Sequence, residues 1–157
     1  MSKTIKLIYD KYENDIGVLY DENNEIEIDK IKILDNLPTK INDINININR
    51  LLNIYSWGIK KDKKSVKCDI IFDASLFSAK INTDVKMLTG LNEIVQQGII
   101  NHPKFDIILE MMLTEIETND YQKIGIICNY GKHRSVGFAE LLKKIYYPKS
   151  VINHKGI

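Results

Sequence analysis

Scarcity narrows the reading of this chain before any motif does. In 157 residues it has two cysteines, three histidines, three prolines and one tryptophan. Cys68 and Cys128 show no C-x-x-C spacing, and with scattered histidines they make a poor zinc set, so no metal site is expected. They read as reduced thiols rather than a disulfide framework, which points to the cytoplasm. Formal net charge is only +1. Nothing global therefore marks a nucleic-acid binder, and any basic site has to be local. No apolar run approaches the roughly 18 residues of a membrane span, and Met1 to Lys6 lacks the apolar core of a signal peptide. No internal repeat occurs. The absence of any G-x-x-x-x-G-K-[ST] removes a P-loop nucleotide site.

What is present is ordinary for a globular chain, with 44% hydrophobic and 27% charged residues, enough for one sizeable core. Among the first fifty residues, Ile5 to Tyr9, Ile16 to Tyr20 and Ile26 to Ile33 are β-prone, and Leu37-Pro38-Thr39 marks a turn. Ile44 to Asn49 alternates strictly, which predicts an edge strand. From Leu52 the pattern becomes α/β. Strands are expected at Asn53 to Trp57, Cys68 to Phe72, Ile124 to Cys128 and Val151 to His154. A short helical stretch runs from Thr89-Gly90-Leu91 through Ile99. Pro103, preceded by His102, opens a longer helix that buries Phe105, Ile108, Leu109, Met112 and Ile116. A third helix, Val136 to Ile145, buries Val136, Phe138, Ala139, Leu142 and Ile145. Lys60 to Lys64 is a solvated charged turn. The expected fold is α/β: a single mixed or mostly parallel sheet flanked by helices, with a β-rich N-terminal extension over residues 1–50 and the α/β domain over 51–157.

The segment between the Ile124 to Cys128 strand and the third helix carries the chemistry. A strand, a short loop with one glycine and a helix N-terminus bring free backbone N–H groups and the positive end of the helix dipole together. This loop adds Lys132, His133 and Arg134. Positive charge opposes the dipole at a helix start, so a bound phosphate or similar anion explains these residues better than a surface ion pair does. Ligands of such sheets gather at the C-terminal strand ends, where Ser56, Trp57, Gly58 and Asp73 are also expected. Asp73 there orients Arg134 or His133, or caps a turn.

Cys128-Asn129-Tyr130-Gly131-Lys132-His133-Arg134-Ser135 satisfies C-x-x-G-x-x-R-S and resembles the phosphate loop of cysteine-dependent phosphatases. That resemblance implies Cys128 as nucleophile, Arg134 as phosphate clamp and Ser135 as stabiliser of the leaving thiolate. Ile127 stands where that family has histidine.

A second resemblance is longer. Gly131 to Val136 is similar to the glycine-lysine-histidine-arginine-serine-valine loop of the RapZ C-terminal domain family. Ser56-Trp57-Gly58-Ile59-Lys60, Asp69 to Asp73, Leu88-Thr89-Gly90-Leu91 and Val151 to Lys155 match further landmarks in order. The match runs from Leu52 to Ile157. Ser75, Ser78-Ala79-Lys80 and Asn129-Tyr130 depart from the family pattern. The resemblance implies a domain that senses an amino-sugar phosphate, serves as an adapter to RNA or protein, and forms a homo-oligomer.

The expected function is thus a module that binds a phosphorylated small molecule and acts through an RNA or protein partner, with no cofactor and no membrane. Its ligand-binding residues would be Asn129, Tyr130, Gly131, Lys132, His133, Arg134, Ser135, Ser56, Gly58, Lys60, Asp73 and His154. No catalytic residue is assigned. The alternatives are a cysteine-dependent phosphatase, and a structural or interaction protein with a degenerate site.

Overall fold

Isoleucine-rich runs free of internal proline supply the centre of the molecule. In the computed structural model, which describes residues 3–7, 40–41, 44–60, 65–77 and 87–157, five strands make one sheet. They are β1 (Lys3–Lys6), β4 (Asn53–Gly58), β5 (Ile70–Asp73), β6 (Lys123–Cys128) and β7 (Val151–His154). Their order is β1-β5-β6-β4-β7, and every neighbouring pair is parallel. β2 (Lys40–Ile41) and β3 (Ile44–Asn45) form a separate antiparallel pair. The helices are α1 (Glu93–Ile100), α2 (Phe105–Asn119) and α3 (Arg134–Ile145). The fold is therefore α/β with a parallel sheet flanked by helices. The expected strands at 16–20 and 26–33, the turn at 37–39 and the lysine turn at 61–64 lie outside the described residues.

Period-two alternation settles which side chains meet the helices. Ile54, Ile70, Phe72, Ile124, Ile126 and Cys128 join the core with Phe105, Ile108, Met112, Ile116, Phe138 and Leu142. The expected α2 stripe is buried. Of the α3 stripe, Val136, Phe138, Ala139 and Leu142 are buried, and Ile145 packs against the core half-buried. β1 brings the chain start into the same sheet: Lys3 to Lys6 pair with Ile70 to Asp73, and Leu7 is buried behind them.

Several local bounds shift: β5 begins at Ile70 rather than Cys68, α1 at Glu93 rather than Thr89, and α3 at Arg134 rather than Val136. The alternating Ile44 to Asn49 segment stays a strand only at Ile44–Asn45. Asn47 Oδ1 accepts the Asn49 N–H at 3.0 Å and Asn47 O accepts the Arg50 N–H at 3.1 Å, so asparagine turns the chain that isoleucine would have extended. α2 begins at Phe105 rather than Pro103. His102 forms the turn before it, accepting the Lys104 N–H on Nδ1 and stacking on Phe77 at 4.5 Å.

The Asn47–Arg50 turn leads into a part-buried ionic knot at the start of the α/β region. Arg50 grips Glu117 of α2 through both carboxylate oxygens, at 2.9 and 3.0 Å, and also bonds Asp120. Tyr147 Oη donates to Glu117 at 2.7 Å, and the Asn47 N–H donates at 3.1 Å. Burial pushes the Glu117 carboxyl up, but these donors outweigh it and hold the group below its usual value. A depressed carboxyl stabilises the fold above its unfolded pKa and loses that contribution as pH falls through the folded one. Glu117→Ala should cost about 1–3 kcal/mol, because the Tyr147 hydroxyl and the Asn47 N–H lose their acceptor while Arg50 keeps only Asp120. In urea titrations, wild type should weaken as pH drops below the ordinary 4.5 of this carboxyl, and the variant should lose that component of the slope.

Candidate functional site

The sheet order places the β6–α3 loop between the segments that leave β4 and β5, because β6 lies between those strands. Gly58, Asp73 and Cys128 end their strands side by side, with Gly58 level with Cys128 and Asp73 level with Ile127. This is the crevice at the carboxyl ends of parallel strands where ligands of such sheets sit.

Backbone contact between glycines fixes the loop. Gly131 has φ +68°, and a Cβ built on it would lie 2.4 Å from Gly58 N. A Cβ on Gly58 would meet the Tyr130 carbonyl carbon at 2.3 Å, and one on Gly156 would meet Gly131 O at 2.4 Å. A Cβ on Gly90 would lie 2.4 Å from His133 O. Hydrogen bonds follow the same paths. Ile59 N–H donates to Cys128 O at 2.9 Å, Lys60 N–H to Asn129 O at 2.8 Å, and Gly90 N–H to Lys132 O at 2.8 Å. The loop carbonyls thus face the flanking segments.

Two of its N–H groups turn inward. Cys128 Sγ, buried at the end of β6, lies 3.2 Å from Ser135 Oγ and takes the backbone N–H groups of Ser135 and Gly131. Burial pushes this thiol up, but those bonds and the nearby Arg134 charge outweigh it, so its pKa is lowered. Cys68 behaves oppositely. Burial, opposed by Lys123 and reinforced by Asp69, pushes it up to about 11. The same strand-to-helix geometry that favours a phosphate favours the Cys128 thiolate.

Arg134 Nη1 donates to Ser75 O at 2.6 Å and Phe77 O at 3.1 Å. Asp73 shapes that turn, its Oδ1 accepting the Ser75 N–H at 2.8 Å. Of the alternatives for Asp73, the carboxylate caps the turn, and the turn in turn receives Arg134. Lys132, His133 and Asn129 are half-buried around the loop, and Tyr130 and Lys60 are exposed. Trp57 packs its ring on Gly125, on the opposite face of the sheet from Cys128. Among the described residues, no group of three His, Cys, Asp or Glu could hold a metal ion, and no helix is long and apolar enough to cross a membrane.

Ser56 and His154 come together on each other, across the β4–β7 pair, with Ser56 Oγ 2.6 Å from His154 Nδ1. His154 Nε2 lies 3.4 Å from Glu140 Oε2 of α3. The sequence reading missed Glu140, Gly156 and the carbonyls that hold Arg134. Gly156, two residues past His154, carried a signal as an isolated glycine after a strand. Glu140 carried none, being one polar residue on an amphipathic helix.

A family model, that of the RapZ C-terminal domain, matches residues 50–156. Among curated proteins, a nucleotide-binding protein of Shewanella loihica is 31% identical over 106 residues, covering 61% of this chain and 37% of that protein. A nucleotide-binding protein of Shewanella denitrificans is 30% identical over 114 residues, covering 66% of this chain and 40% of its own. The match spans 40% or less of each of these relatives. No solved structure gives a significant match.

The glycine contacts separate two substitutions on neighbouring turns. Gly131→Ala meets backbone and an unfavourable φ, and should cost at least about 1–2 kcal/mol and lower the melting temperature. Gly137→Ala meets only the movable Ile99 Cδ1, at 2.4 Å. It gains about 0.8–1.0 kcal/mol of helix propensity, so its melting temperature should stay close to wild type. Equal melting curves for the two would refute the clamp.

Proposed function

The chain belongs to the RapZ C-terminal domain family, and from that premise and the loop geometry we propose that it binds a phosphorylated small molecule at the β6–α3 loop. The observation that carries this reading is the pair of inward N–H groups, of Gly131 and Ser135, on a loop held by backbone contacts from the segments after β4, β7 and before α1. A site whose donors are already aimed spends little ordering entropy when the anion arrives. The guanidinium of Arg134 has five donors in a fixed fork. Two bonds from Nη1 hold the 75–77 turn, so an anion on the rest of the fork would connect the β5 turn to the α3 N-terminus. Lys132, His133, Asn129, Tyr130, Gly131 and Ser135 supply the remaining contacts, with Gly58, Lys60 and Asp73 shaping the rim.

The ligand classes that suit the site are sugar phosphates and nucleotides, the latter also in keeping with the names of the two relatives. Family membership supports an adapter role in which ligand occupancy is passed to an RNA or protein partner, in the cytoplasm and as a homo-oligomer. Residues 1–50 we read as a β-rich extension that contributes β1 to the sheet of the α/β domain.

A second reading, cysteine-dependent phosphatase, rests on one observation: a buried thiol with a lowered pKa under the donors of a C-x-x-G-x-x-R-S loop. In that reaction the Cys128 thiolate attacks phosphorus, the P–O bond breaks and the leaving oxygen takes a proton from solvent. Water then cleaves the S–P bond to give phosphate and the free thiol. Cys128→Ser would abolish turnover.

A panel of inorganic phosphate, sugar phosphates and nucleotides should raise the melting temperature of wild type, with the shift following RT ln(1 + [L]/Kd). Arg134→Ala should remove that shift. In the ligand-free protein at pH 8, iodoacetamide should label Cys128 ahead of Cys68, and a bound phosphoryl group should protect Cys128. No thermal shift with any compound, from folded wild type, refutes the binding reading. Phosphate release that disappears in Cys128→Ser selects the enzyme.

A further inference from the structure

We propose that Glu140 and His154 are positioning residues of the anion loop, acting through Ser56 to hold β4 and the segment 154–156 in one register against Gly131. The proposal rests on the anion-binding reading above.

Ser56 is wholly buried, and a buried hydroxyl needs a partner. His154 Nδ1 at 2.6 Å supplies it. Which of the two donates is decided one step further out. A carboxylate only accepts, so Glu140 Oε2, 3.4 Å from His154 Nε2, selects the tautomer with hydrogen on Nε2. Nδ1 is then left to accept the Ser56 O–H. The imidazole is neutral in this arrangement. Burial lowers the His154 pKa and Glu140 pulls the other way, the net direction being downward.

The three side chains close a ring through the backbone. Gly58 and Gly156 each lie two residues beyond a member of the Ser56–His154 pair, and both touch Gly131. Lys155 N–H donates to Ser56 O at 2.8 Å, which continues the β4–β7 register toward the loop. Glu140 belongs to α3, whose N-terminus is the loop itself. One imidazole therefore sets β4, β7 and α3 relative to each other at the point where two glycine contacts reach the anion donors. Donors of this kind have to be held within about 0.5 Å, and a slip of β7 along β4 would move both contacts. The hydroxyl of Ser56 and both nitrogens of His154 are spent inside the ring. This assigns Ser56 and His154 a supporting task in place of the ligand contact expected from sequence, and adds Glu140, which no motif marked.

The test uses the full chain with Glu140→Ala and Glu140→Gln. Three quantities are read: the 15N shifts of the His154 ring, the melting temperature, and the affinity for inorganic phosphate and for a sugar phosphate. Wild type should show hydrogen on Nε2. Glu140→Ala should mix the tautomers and weaken phosphate binding about tenfold. Its melting temperature should fall by no more than about 4 °C, the shift that ~1 kcal/mol produces in a domain of this size. Glu140→Gln should restore the tautomer and most of the affinity, because its amide oxygen still accepts from Nε2. Hydrogen on Nδ1 in wild type, or unchanged affinity in Glu140→Ala, overturns the positioning role alone. Failure of wild type to bind either compound overturns the anion-binding reading and this proposal with it.

Discussion

The backbone of Gly131 lies directly against the backbone of Gly58, and everything at the carboxyl edge of the sheet depends on that contact. It admits no side chain on either residue. Because it joins the end of β4 to the loop after β6, it converts two strand ends into one surface. The Gly156 contact does the same from β7, and the Gly90 contact from the segment ahead of α1. Side-chain packing tolerates shifts of an ångström through rotamer changes. Main chain against main chain does not, because no rotamer can absorb the displacement. The loop N–H groups are thereby aimed by contacts that are independent of any ligand.

The two cysteines show how the same residue type is turned to opposite ends by where its strand finishes. Cys68 precedes β5 and lies against Gly125 and Trp57, with burial raising its pKa to about 11. Cys128 is as deeply buried, yet it ends β6 under a helix N-terminus, and Ser135 with two backbone N–H groups lowers it. Burial alone does not decide thiol character. Direction of the surrounding dipoles does. On the proposed reading, an anion entering the loop would meet the donors that now serve Sγ, which would couple occupancy to thiol ionisation.

Much of this arrangement was legible in the residues. The isoleucines of β6, the α2 stripe and the glycine between Cys128 and Arg134 each carry a period or spacing that geometry must respect, and each sits where it was read. The failures have particular causes. Ile44 to Asn49 has strand period, but asparagine side chains compete for its backbone N–H groups and end the strand early. The Ser75 and Phe77 carbonyls that hold Arg134 went unread because they belong to a turn 57 to 59 residues away. Glu140 has no local pattern at all. Its meaning comes from facing His154, and sequence spacing cannot show which strand a helix will face.

The pairing of Ser56 with His154 spans 98 residues, and this has a consequence for how the molecule is made. Parallel strands so far apart close large loops before they gain any contact, which slows folding. A ribosome delivers β4 well before the segment 154–156. Until the latter emerges, β4 has an open edge, the Ser56 hydroxyl has no imidazole and Gly131 lacks one of its walls. Assembly of the loop therefore waits for the segment 154–156 to emerge. A nascent protein halted before Gly156 holds β4, β6 and α3 but lacks the backbone that closes on Gly131.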